Sequence, residues 1–213
     1  MSAAEVIAVL VDLVDSRRIE DREAVQRDVE RGFAEVDRAV PPLEPLHPTV
    51  GDEFQAVYPT LPTALAATLL ARLSLPAGVD CRIGLGRGEV RVIGTGVAGG
   101  LQDGPGWWRA REAIDRAHRL EDGAVPTARG WFVGSDSPGP EEAAVNAYLL
   151  ARDALVAPLS PRDRRLVLGT ARAVPQKVLA EQESISQSAV SQALRRAGAQ
   201  ALLTGSRLLE DAC

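Results

Sequence analysis

Apolar residues run almost unbroken from Glu5 to Val14, interrupted only by Asp12. A run this short and this rich in Val, Ile and Leu predicts a strand buried on both faces. From Asp21 to Val40 the pattern changes: Val25, Val29, Phe33, Val36 and Val40 recur at steps of three and four, the stripe of an amphipathic helix, which Pro41 and Pro42 stop. An extended stretch to Val50, the Gly51-Asp52 corner and the run Phe54 to Tyr58 predict a hairpin. Leu61, Leu65, Leu69 and Leu73 mark a second helix. Val79 to Gly86 and Glu89 to Ile93 are read as two strands about a turn at Gly86 to Gly88, and the glycine-dense stretch from Gly94 to Gly106 as an irregular loop. Ala110, Ala113, Ile114, Ala117 and Leu120 define a third helix and Glu141 to Val156 a fourth.

Strand, helix, strand, strand, helix, strand is the order of the ferredoxin-like unit. The expected fold class is α+β: an antiparallel sheet with its helices on one face, extended by one strand, plus a small all-α tail. Residues 1–139 are expected to form the sheet domain, 140–158 a connecting helix and linker, and 159–213 the tail domain. In the tail, Ser160 to Ala173, Pro175 to Gln182 and Ser186 onward predict three helices, with Ser as the cap of the third.

Charge sharpens this division. The whole chain of 213 residues carries a net charge of −5, but the residues after Pro158 hold 8 basic and 5 acidic side chains, so the tail is +3 and the body −8. A basic tail on an acidic body is the layout of a small anion-binding module carried by a larger domain. With 46% hydrophobic residues the chain can bury a core, and no run approaches 18 consecutive apolar residues. A cytoplasmic protein with no membrane partner is therefore expected. The cysteines, Cys81 and Cys213, match no metal spacing.

The tail string from Val178 to Leu194 resembles the helix-turn-helix segments of bacterial regulators. Ala180, Ile185, Val190 and Leu194 would join the two helices, leaving Gln187, Ser188, Ser191, Gln192 and Arg195 to face outward, where such side chains reach base edges and phosphates. Glu183 and Ser184 stand at the usual apolar and Gly positions of the turn. The competing reading is an αα-hairpin that serves dimerisation, since Leu202, Leu203, Leu208 and Leu209 supply an apolar end. A single module of this kind binds DNA weakly, so a homodimer is expected.

Two acids are conspicuous in the body: Asp12 inside the apolar first strand, and Asp52 in the corner Gly51-Asp52-Glu53-Phe54. The topology sets the first strand beside the hairpin strand, so both could meet at one end of the sheet. Uncompensated carboxylates in a half-buried setting call for a cation or a shared proton, and Mg²⁺ takes one or two carboxylates with water and phosphate oxygens completing its shell. Alternatively, Asp12 caps the following helix and Asp52 is an ordinary turn residue.

Val11-Asp12-Leu13-Val14-Asp15-Ser16-Arg17, then Gly51-Asp52-Glu53-Phe54-Gln55, then Arg82-Ile83-Gly84-Leu85-Gly86-Arg87-Gly88-Glu89, then Asp103-Gly104-Pro105 leading to Ala110-Arg111, resemble the SatD family of bacterial proteins over residues 5 to 120. More distantly, the same order of motifs is similar to class III nucleotide cyclases and GGDEF-type diguanylate cyclases. That resemblance implies a cyclase-like palm, ligation of Mg²⁺ or Mn²⁺ by Asp12 and Asp52, and phosphate held over the turn from Val14 to Arg17. Ser16 and Arg17 lie in that turn, and Arg82 and Arg111 are further phosphate candidates. The chain departs from a class III cyclase where Trp107 stands in the place of an Asn, Thr49 in that of a base-selecting Lys, and Asp15 in that of a Gly. Retained acids without the remaining apparatus suit a nucleotide-sensing, DNA-binding transcription regulator. The alternatives are a nucleotidyl cyclase or other Mg-dependent phosphoryl-transfer enzyme, with Arg111 stabilising charge, and an inert dimerisation scaffold.

Overall fold

Strand β1 (Val6–Val14) has a neighbour on each side, which is why nearly all of it is buried. Its alternate residues serve two different cores. Ile7, Val9, Val11 and Leu13 point to one face and pack with Val29, Phe33 and Val36 of helix α1 (Arg22–Ala39) and Leu61, Leu65 and Leu70 of helix α2 (Leu61–Ser74). Ala8 and Leu10 point to the other face and meet Ala110 and Ile114 of helix α3 (Pro105–Glu121). The computed structural model describes residues 5–14, 21–49, 52–96 and 99–211.

The five-stranded sheet runs in the order β2 (Glu44–Pro48), β3 (Glu53–Tyr58), β1, β4 (Asp80–Gly88), β7 (Gly130–Val133). The hairpin expected from the Gly51-Asp52 corner is formed by β2 and β3, and β3 lies beside β1 in antiparallel register, as the topology required. Three expectations are corrected. The sheet is mixed, because β4 pairs with β7 in parallel. Its helices are not confined to one face: α3 covers the face opposite α1 and α2. The strand that extends the sheet is β7, whereas β5 (Arg91–Gly96) leaves it to pair with β6 (Gly99–Asp103) in a separate hairpin, where an irregular loop had been expected.

The turn expected at Gly86 to Gly88 is instead the end of β4, whose glycines Gly84, Gly86 and Gly88 form one series. They sit at alternate positions inside β4, and a Cβ at Gly84, Gly86 or Gly88 would collide with the backbone of α3 around Ala110 and Gly106. The missing side chains let a helix backbone lie directly on a strand, and Gly106 and Ala110 keep the facing side of the helix equally thin.

Strand β7 is only four residues long and lies at the sheet edge. Helix α4 (Pro140–Val156) closes that edge with buried polar side chains. Asn146 accepts from Phe132 N at 2.8 Å and donates to Phe132 O at 2.9 Å, while Glu142 accepts from Gly134 N and Asp153 from Gly130 N. The backbone groups that a bare edge would expose are thereby satisfied from one helix.

Helices α5 (Pro161–Ala171), α6 (Gln176–Gln182), α7 (Gln187–Arg196) and α8 (Ala199–Asp211) follow. Their core continues into the body: Leu166, Val167, Leu179, Val190, Leu194 and Leu202 share one buried cluster with Leu69 and Leu73 of α2. Helix α8 begins after a break at Gly198, whose φ is +62°. No helix among the described residues is long and apolar enough to cross a membrane.

Candidate functional site

Asp12 lies opposite Glu53 on β3 and Arg82 on β4 in the strand register, so three charged side chains stand in a row across the sheet. Asp52 joins them through the chain itself, since its carbonyl accepts from Leu13 N at 3.2 Å. Asp52 lies near enough to Asp12 for its charge to act on that carboxyl, an approach the strand order allowed, and Glu53, quoted within the acidic corner without a role, belongs beside them. Burial pushes the Asp12 carboxyl above its ordinary range, the charges of Asp52 and Glu53 push the same way, and Arg82 opposes them. Arg82 Nη1 lies 3.4 Å from Asp12 Oδ2, while its Nε engages Glu121. The Arg82 side chain is 16% exposed and held by two acids.

Arg111 reaches the corner from α3, its Nη2 2.6 Å from Glu53 Oε2. Ser16 and Arg17 lie outside the described residues, as do Asp15 and Gly51. Trp107 packs beside Ala110 and Ile114 and donates to Gln102, whereas Trp108 is 62% exposed and donates to Asp103. Among the described residues no three His, Cys, Asp or Glu side chains converge tightly enough to hold a metal by themselves. Asp12 and Asp52 are the hard-oxygen side chains at this rim that could hold a cation, and positive charge there would oppose the effect of burial on the Asp12 carboxylate.

The corner is the exposed end of a longer chain of ion pairs that pattern reading did not find. Glu121 binds Arg82 and, 3.1 Å away, Arg129. Arg129 meets Asp80, Asp80 is gripped by Arg72, and Arg72 Nη1 lies 3.0 Å from Asp153 of α4. Burial alone would raise the Asp80 carboxyl, but the guanidinium groups of Arg72 and Arg129 reverse this and hold it below the ordinary range. The only sequence signal was Arg72 within the leucine-rich pattern of α2, and nothing local named its partners.

In the tail, α6 ends with Ile185 N on Ala180 O at 3.0 Å, a bond that closes the helix around a residue in the left-handed region. That residue is Ser184, φ +53°, standing where a Gly is usual. Ser186 then caps α7 by accepting from Ala189 N. Glu183 is held by Arg165 of α5 through two 2.7 Å bonds, which pull its carboxyl below the ordinary range. Ala180, Val190 and Leu194 are buried and Ile185 packs against them. Gln187, Ser188, Gln192 and Arg195 are exposed and Ser191 half-buried.

A family model described as SatD family matches residues 6–208. The chain belongs to the SatD family. Both the acidic corner and helices α6 and α7 of this SatD-family protein fall inside the matched residues. A search of curated proteins finds no match.

Proposed function

We propose that this SatD-family chain is a bacterial DNA-binding regulator in which α6 and α7 form a helix-turn-helix and the sheet is a ferredoxin-like, cyclase-like palm that senses a nucleotide. The observation that carries the reading is the left-handed Ser184 between two short helices, with a polar face of α7 turned away from their shared core. In this reading α7 enters the major groove, Gln187, Ser188, Ser191 and Gln192 read base edges, and Arg195 contacts phosphate. A homodimer would present two such helices. The fixing of Glu183 by Arg165 supports it, because the acid in the turn is neutralised rather than presented to phosphate.

In the palm, Asp12 and Asp52 would hold Mg²⁺ or Mn²⁺, which supplies positive charge to a nucleotide's phosphates. Ser16, Arg17, Arg82 and Arg111 are the proposed phosphate contacts. The engagement of Arg111 with Glu53 favours sensing over the phosphoryl-transfer alternative, in which Arg111 must face the reacting phosphate.

Fluorescence anisotropy with duplexes from the protein's own upstream region tests the tail. Arg195→Ala is expected to weaken binding across sequences and lower the salt slope by about 1, whereas Gln187→Ala costs about 1–3 kcal/mol on the preferred site alone. Unchanged affinity in both variants overturns the assignment. Equilibrium dialysis of nucleoside triphosphates with Mg²⁺ tests the palm: Asp52→Asn abolishes retention if the reading holds, and unaffected retention sinks it.

A further inference from the structure

Helix α2 is buried nearly all round from Leu61 to Leu73, which packing on a single face does not explain. It belongs to two cores. Leu61, Ala64, Leu65, Leu70 and Ala71 pack in the cluster of the sheet, whereas Leu69 and Leu73 pack in the cluster of the tail with Leu166, Val167, Val190 and Leu194. Helix α4 is divided in the same way: Val145 and Leu149 lie in the sheet's cluster and Val156 in the tail's. The sharing runs in both directions, since Leu168 and Ala171 of α5 and Leu209 of α8 pack against the sheet's cluster.

Polar bonds fasten the same joint. Arg164 of α5 donates to Val79 O, next to the start of β4, at 3.2 Å, and Arg172, just past α5, donates to Glu35 of α1 at 2.7 Å. Between the last residue of α4 and the first of α5 stand only Ala157 to Ser160, and Leu159 among them packs against the tail's cluster. Two parts of a chain move relative to each other unless their interface is large and hydrophobic. Here two helices of the body supply side chains to both cores, so the interface is continuous with each of them.

We propose that the sheet and the tail are one cooperative unit without a hinge, with α2 and α4 as the shared members, so that α7 changes its position or its order only when the sheet does. The proposal rests on the two cores alone, uses neither the metal site nor the DNA contacts, and stands or falls separately from them. Its consequence for regulation is direct. Strand β3 carries Glu53 at one end and runs at the other into α2 through Pro59 and Thr60, so a displacement of the strand is passed to Leu69 and Leu73 and through them to the tail, rather than absorbed in a linker.

Urea unfolding of the full chain is the test. All three tryptophans, Trp107, Trp108 and Trp131, precede the tail, so their fluorescence reports the sheet, while far-ultraviolet circular dichroism reports the helices of both parts. The two probes are expected to give one midpoint. Val190→Ala opens a cavity in the tail's cluster, to which no tryptophan belongs, and is expected to lower the fluorescence midpoint as far as the dichroism midpoint. Where this variant fails to fold its tail, the tryptophans are expected to report an unfolded sheet as well. In the wild type, the slowest amides of α7 are expected to be protected from hydrogen exchange as strongly as those of β1, with the same dependence on denaturant. Two separate midpoints, a fluorescence midpoint that Val190→Ala leaves in place, a native fluorescence signal in a variant whose tail is unfolded, or α7 amides protected at least tenfold less than those of β1 overturns the proposal.

Discussion

Arg72 and Asp80 form a two-pronged ion pair, Nε to Oδ1 at 2.9 Å and Nη2 to Oδ2 at 3.0 Å, at a place where the arginine is 1% exposed. The pair ties the end of α2 to the start of β4, and Asp153 and Arg129 continue it to α4 and to the residue that precedes β7. Removing one partner leaves the other charged, buried and partly unpaired. Asp80→Asn is therefore expected to destabilise the fold by about 3–5 kcal/mol in urea unfolding. A loss under 1 kcal/mol would mean that the network is slack in solution.

The same carboxylate sets an acid limit. Asp80 titrates below its ordinary range when folded, so its contribution is fully present above the unfolded value of about 3.9 and is lost as pH falls through the folded value. Wild-type stability should fall steeply below about pH 4. In Asp80→Asn that part of the slope disappears, as urea midpoints measured from about pH 5 down to about pH 2 would reveal.

Asp12 has the opposite sign. Burial and the neighbouring Asp52 and Glu53 disfavour its charge despite Arg82, so the neutral isostere should fold better. Asp12→Asn is expected to raise the thermal midpoint at neutral pH while losing any Mg²⁺-dependent nucleotide binding. A lowered midpoint would show that Arg82 outweighs the acids.

Gly86→Ala should be among the most damaging small substitutions in the chain. Its methyl group would meet the backbone of α3 at Ala110 N and Gly106 O, and neither can yield without moving the helix. The expected cost is about 3 kcal/mol, the upper part of the overpacking range, read from the urea midpoint. Gly94, where an added Cβ meets nothing within 4 Å, is the control: Gly94→Ala should change little.

Ser184 occupies a left-handed position that costs a residue with a Cβ about 1 kcal/mol. Ser184→Gly is expected to recover part of this, raising stability by about 0.5 kcal/mol with no change in the exposed face of α7. A destabilised variant would show that the turn is held otherwise than by the bond from Ile185 N.

The sequence by itself determined whatever repeats with a fixed period. The unbroken apolar run of β1, the stripes of α1 and α2, and the split packing of α6 and α7 were legible because a strand buried on both faces must be apolar throughout, and a helix apolar at every third and fourth residue of its buried face. It also allowed Asp12 and Asp52 to approach each other, since strand order fixes which ends are neighbours. Tertiary structure alone decided the rest. The glycines of β4 look the same in a turn and under a helix, and only the presence of α3 on that face tells which. Strand β7 is too short to carry a period, and its polar clamp, Glu142, Asn146 and Asp153, resembles a solvated helix face until the strand edge is set against it. Arg72 and Asp153 are 81 residues apart in the chain. A charge buried by distant partners leaves no local pattern, because its stability comes from groups that only folding brings within reach.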